Sequence, residues 1–234
     1  MIELFRKISQ YGFRKSFDFA WCEIKKLFIN RFVLGSYSQD KEDLIIDKLF
    51  SGKKKGFYLD IGASDPVRFS NTNRFYRKGW GGVNIDPLKS SIDKFNKKRK
   101  RDTNIMCGAG KGRSIMTFYK MFPDTTSTFS KTEMEKFIKM GCKLVGKEKI
   151  QIYPLREITE KYIGRKKVDF FTLDVERIDM EVLRSNNWNE FRPKVICVEN
   201  SFEAESYLAS KNYKKVGQTR INSIYLLSKT EKRP

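Results

Sequence analysis

No histidine occurs among the 234 residues of this chain. That absence removes His-based nucleophile triads, histidine–metal sites and histidine general bases, so acid–base work falls to Asp, Glu, Lys, Tyr or a thiol. Cysteine is sparse as well. Cys22, Cys107, Cys142 and Cys197 are scattered without a C-x-x-C pair, which argues against a disulfide framework or a cysteine metal site, and no metal is expected. No apolar run approaches the ~20 residues that span a bilayer, and no cleavage pattern follows a short apolar core. The sequence therefore predicts a protein made and kept in the cytoplasm. Acidic residues are in deficit, 28 against 48 Lys and Arg, for a net charge of +20. Such a surplus attracts polyanions: nucleic acid, anionic lipid headgroups or acidic glycans. The densest basic run, Lys97 to Arg101, reads first as the solvated end of a helix and second as a localisation or nucleic-acid patch. No aromatic residues interleave with it, so the stacking platform of single-strand binders is missing.

What is present centres on two strings, GFYLDIGASDP at 56–66 and GWGGVNIDP at 79–87. The first reads as an apolar strand, Phe57 to Ile61, ending in the small-residue turn Asp60-Ile-Gly62-Ala63-Ser64. At Gly62 the lack of a Cβ lets backbone N–H groups approach a ligand. The second strand, Gly82 to Ile85, ends on Asp86, a position from which a carboxylate can take both hydroxyls of a ribose. A dinucleotide fold wants G-x-G-x-x-G, but positions 60, 62 and 65 carry Asp60, Gly62 and Asp65. Two acids there repel a pyrophosphate and tolerate a cationic zwitterion with a ribose and no phosphate. S-adenosylmethionine is such a molecule.

Along the rest of the chain, residues 1–35 form a basic, aromatic arm in which Phe17, Ala20, Trp21, Ile24, Leu27 and Phe28 recur at helical spacing. The arm reads as a helix packed on the core, or as an interfacial helix in contact with an anionic membrane. Residues 36–230 read as one α/β domain. A helix is expected over Lys41–Phe50, strands at Phe57–Ile61, Gly82–Ile85, Thr103–Cys107, Val168–Leu173 and Val195–Val198, and helices between them. Such alternation implies a mainly parallel sheet, with Lys215–Gly217 and Ile224–Leu227 as an antiparallel edge pair. The segment 111–149 reads as less regular, apart from a helix over Glu133–Met140. Ligands in open α/β sheets bind beyond the carboxyl ends of the strands, which gathers Asp60–Asp65, Asp86, Cys107, Asp174–Glu176 and Glu199 onto one rim. Asn71, just past the turn, reads equally as a ligand contact or as the cap of the helix that holds Tyr76.

The strings SYSQDKEDLIIDKLF, YLDIGASDPVRFSNTNRFYRKGWGGVNIDP, DFFTLDVERIDMEVLRSNNW and PKVICVEN resemble the FkbM family of class I methyltransferases over about Ser36 to Leu227. The resemblance implies a Rossmann-like fold, S-adenosylmethionine as cofactor, and O-methylation of a sugar, glycan or polyketide hydroxyl. On this reading Asp60, Gly62, Ala63, Ser64, Asp86 and Cys107 meet the cofactor. Asp174, Glu176 or Glu199 serves as the base, and Asp65, Asn71 and Arg177 face the acceptor. Two positions depart from the family pattern: Lys41 and Arg177 stand where glycine is usual. A catalytically weakened binding protein at a glycan or membrane surface is the second reading. A nucleic-acid methyltransferase is the third, and the sequence holds no accessory module for it.

Overall fold

The computed structural model describes residues 33–175 and 178–228. The expected helix over 17–28, with Cys22, therefore lies outside the described residues. The described chain divides into two compact units.

The larger unit, from Tyr37 to Ser114 and from Ile152 onward, is built on a seven-stranded sheet. In chain order its elements are α1 (Glu42–Leu49), β1 (Phe57–Ile61), α2 (Asn73–Arg77), β2 (Gly81–Asp86), α3 (Lys89–Lys98) and β3 (Thr103–Met106). The short β4 (Gly108–Gly110) follows and pairs with Ile152–Pro154, the end of a long strand, β6 (Lys143–Pro154). After it come α5 (Leu155–Tyr162), β7 (Phe170–Leu173), α6 (Asp179–Arg184), β8 (Val195–Glu199), α7 (Phe202–Ser210), β9 (Tyr213–Gln218) and β10 (Asn222–Leu227). The strand order is β3-β2-β1-β7-β8-β10-β9. All neighbours are parallel except β10, which runs against both β8 and β9. This is the Rossmann-like arrangement expected from the alternation of strands and helices.

Period-two alternation explains the two faces. Tyr58, Phe170, Val195, Cys197 and Ile224 join Ile46, Phe50, Phe75 and Trp80 in one buried cluster. Leu59, Ile61, Val83, Ile85, Phe171, Leu173, Ile196 and Val198 join Leu155, Ile158, Val182 and Leu208 in the other. With helices on both sides, the central strand Phe170–Leu173 is buried at every residue, as a doubly covered parallel strand must be. Close fit shows at Gly82, where an added Cβ would lie 2.1 Å from the Tyr58 ring.

The smaller unit contains Ile115–Gln151. Here the expectation of an irregular segment is corrected. Ser114–Phe122 forms β5 and Lys143–Pro154 forms β6, a neighbouring pair in the sheet order, with α4 at Lys131–Lys139 capped by the Ser130 hydroxyl. A small core of Met121, Met134, Phe137 and Cys142 holds it together. The strands escaped sequence reading because few of their positions are buried: Phe118 and Met121 in β5 stand three apart, which breaks period two, and β6 buries only Ile150, Ile152 and Pro154.

Lys41, the residue that stands in place of glycine, sits at φ 72° immediately before α1. The left-handed region costs a side chain with a Cβ about 1 kcal/mol relative to glycine. Lys41→Gly is therefore expected to raise the unfolding free energy by about 1 kcal/mol, read as a higher urea midpoint at unchanged slope. An unchanged or lower midpoint would mean that Lys41 makes a compensating contact.

Candidate functional site

The register aligns four strand ends. Ile61 lies opposite both Ile85 and Leu173, and Leu173 lies opposite Val198. The next residues, Asp86, Gly62, Asp174 and Glu199, therefore form a row along the carboxyl rim of β2, β1, β7 and β8. Asp174 and Glu199 are exposed there, on adjacent strands.

The turn after β1 does something other than offer its amides to a ligand. Gly62 N and Ala63 N donate to the Ile85 carbonyl at 2.9 and 3.1 Å, and Ser64 N donates to Asp86 Oδ2 at 2.9 Å. These donors are spent on holding the turn against β2, which corrects the expectation that they face the cofactor. Gly62 is required for a different reason. It has φ 81°, and a Cβ there would stand 1.7 Å from the Asp174 carbonyl oxygen.

Asp86 is 6% exposed and accepts from Ser64 N and from Leu88 N, the latter at 2.8 Å on Oδ1. Burial pushes its pKa up to about 6, although these two amides and the Ser91 hydroxyl pull it down. Asp60 is also buried, and burial raises it to about 6 against a 2.6 Å hydrogen bond from Thr72 Oγ1 and the nearby Arg99 charge. Both folded pKa values exceed the ordinary 3.8. Ionising these groups therefore costs stability as pH rises from about 4 to about 6.

The remaining expected site residues fall as follows. Asp65 Oδ1 accepts from Val67 N and Arg68 N, both at 2.9 Å, and so closes the turn after Ser64. Asn71 does not cap a helix: the residue before α2 is Thr72, with no side-chain cap. Its Nδ2 instead donates to Thr172 Oγ1 at 3.1 Å, reaching the end of β7. The Cys107 side chain faces the core, 1% exposed, where burial pushes its thiol up to about 12. Glu176 and Arg177 lie outside the described residues.

Three groups escaped the sequence reading. Glu42, wholly buried, accepts from Asp40 N, Thr219 Oγ1 and Asn222 Nδ2 at 2.8, 2.8 and 3.1 Å, tying α1 to the end of β9 and the start of β10. Thr72 bridges Asp60 and Arg99. Arg99 itself is 1% exposed, which corrects the reading of Lys97–Arg101 as a wholly solvated run. A usable signal was its spacing behind Ile92 and Phe95, the buried face of α3.

The family model for the methyltransferase FkbM domain matches residues 60–227, well over half of the chain. The chain belongs to the FkbM methyltransferase family. Curated protein sequences yield no match. Among solved structures, a TehB-like SAM-dependent methyltransferase from Corynebacterium glutamicum is similar at 8% identity and a TM-score of 0.44, over 88% of this chain and 96% of that one. The 1,6-didemethyltoxoflavin-N1-methyltransferase of Burkholderia thailandensis, with bound 1,6-didemethyltoxoflavin and S-adenosylhomocysteine, is similar at 10% identity and a TM-score of 0.43, over 88% and 85%.

The cofactor of the FkbM family is S-adenosylmethionine, and the residues at the rim fit it. An ionised carboxylate has about four acceptor positions, and the two amides and the Ser91 hydroxyl on Asp86 leave one for a ribose hydroxyl. Among the described residues no cluster of Cys, Asp and Glu suits a metal ion, and no helix is long and apolar enough to cross a membrane.

Proposed function

We propose that this FkbM methyltransferase is O-directed, and methylates a hydroxyl of a saccharide, glycan or related natural product. When bound, S-adenosylmethionine supplies a methyl group on a sulfonium, whose departure leaves a neutral thioether. Asp86 holds the ribose of the donor from the end of β2. The observation that carries the O-directed reading is the pair Asp174 and Glu199, two exposed carboxylates side by side at the ends of β7 and β8. An alcohol must lose its proton as it attacks, and a carboxylate within hydrogen-bond reach can accept it. The second carboxylate can take a neighbouring hydroxyl and orient a polyol, since alignment supplies much of the rate of such a displacement. Against a nucleic-acid acceptor stands the loss of Arg99 to the interior, together with Arg101 stacking on Tyr76 at 4.0 Å.

Donor labelled in its methyl group, incubated with the protein and a panel of saccharide acceptors, tests the reading. The expected result is label in an ether that survives mild alkali, and its loss in a variant carrying both Asp174→Asn and Glu199→Gln. Label found only in alkali-labile esters or on nitrogen would overturn the O-directed reading.

A further inference from the structure

We propose that Arg99 is a positioning residue for the methyl-donor site, a buried guanidinium clamp that sets the loop over residues 62–72 beneath the donor. The inference rests on the donor-site reading above. Arg99 lies just beyond α3 and contacts no part of the rim itself. Its Nε and Nη2 both donate to the Pro66 carbonyl, at 3.0 and 2.6 Å. Nη2 also reaches Ser70 Oγ at 2.7 Å, and Nη1 reaches Thr72 Oγ1 at 2.7 Å and Tyr58 Oη at 3.4 Å. All five N–H donors of the guanidinium thus have acceptors, and three of the four acceptors belong to this one loop.

The loop needs such a clamp. Besides Gly62, it contains Ser64 at φ 53° and Phe69 at φ 57°, two side chains in the left-handed region. Conformations of that kind persist only where the surroundings over-determine them. Asp65 closes the turn at 67–68, and Arg99 fixes Pro66 and Ser70 on either side of Phe69. From Thr72 the chain of contacts continues to Asp60 Oδ2 at 2.6 Å, two residues before Gly62. At the other end of the loop, Ser64 N is bonded to Asp86. Any shift at Pro66 or Ser70 is therefore felt at the Asp86 carboxylate.

A lysine can keep the charge but offers no planar fork to span Pro66, Ser70 and Thr72 together. The charge itself is matched elsewhere, since Asp102 Oδ2 lies 3.9 Å from Nη1. Geometry, not charge, is what Arg99 contributes to the loop.

Calorimetric titration with S-adenosylhomocysteine, paired with thermal melting, tests this. Arg99→Lys is expected to weaken binding by about tenfold or more, as misplacement remote from the reacting atoms can. Tyr213→Phe serves as the stability control. It removes the 2.8 Å hydrogen bond to the Pro193 carbonyl, which shares no partner with the loop, and should lower the melting temperature while keeping affinity within about twofold of wild type. Should Arg99→Lys not fold, Ser70→Ala gives the same readout by releasing one arm of the clamp. Wild-type affinity in the folded Arg99→Lys or Ser70→Ala protein would overturn the inference. So would equal losses of affinity in Tyr213→Phe, because affinity would then track stability alone. Wild-type protein giving no heat with S-adenosylhomocysteine would instead overturn the donor-site reading, and the clamp with it.

Discussion

Gly62→Ala is expected to destabilise the protein by about 4 kcal/mol, at the upper end of single-residue effects. Two costs combine. The backbone at φ 81° strains any residue with a Cβ, and the added carbon would stand 1.7 Å from the Asp174 carbonyl oxygen. That carbonyl has little freedom to retreat, because Asp174 N is bonded to the Ile61 carbonyl at 3.0 Å and Gly62 N to the Ile85 carbonyl at 2.9 Å. Relief would require the ends of β1 and β7 to part, in the middle of the sheet. Gly52 provides the control. It has a similar φ of 79° with nothing within 4 Å of an added Cβ, so Gly52→Ala should cost only the conformational part, about 1 kcal/mol. Urea denaturation of the two variants separates the effects. Equal midpoints would show that the Asp174 carbonyl yields easily, and would remove the packing argument for glycine at this turn.

The same glycine marks what the sequence disclosed and what it hid. Its place after an apolar strand, followed one strand later by Asp86, was legible because local chemistry marks both: a positive φ needs glycine, and an acid ends an apolar strand. The mainly parallel sheet with its antiparallel edge pair was legible for a similar reason, since strands alternating with helices leave few arrangements. The identity of what each group touches was not. Gly62 reads as a cradle for a ligand, whereas its neighbour is a carbonyl from a strand more than a hundred residues away. Arg99 reads as one more cation in a basic run, because the charge of its neighbours outweighs its spacing behind Ile92 and Phe95. Glu42 is buried against β9 and β10 from the far end of the chain, a contact that no local pattern encodes. The strands of the smaller unit stayed hidden because too few of their positions are buried to mark the alternation by which strands are recognised.

The donor should bind more tightly as pH rises through about 6, and Asp86 should be the cause. Its carboxyl is raised to about 6 by burial, so below that pH it is largely neutral and one oxygen carries a proton. A ribose hydroxyl donates a hydrogen bond, which an ionised carboxylate accepts and a protonated one accepts poorly. The expected profile for S-adenosylhomocysteine is therefore a dissociation constant that falls by up to about tenfold per pH unit up to about 6 and is flat above it. Bound donor stabilises the ionised form, so the same pKa must fall in the complex, and protons should be released on binding near pH 6. Asp60 titrates in the same range, and its carboxylate accepts from Thr72. Asp86→Asn distinguishes the two. It keeps the size of the side chain and loses the charge, so binding above pH 7 should weaken by roughly 1.5–3 kcal/mol, the scale for a lost hydrogen bond to a charged group. The pH dependence and the proton release should vanish together. Asp86→Asn protein that is folded and keeps the wild-type pH profile would assign the titration to Asp60 and take the ribose away from the end of β2.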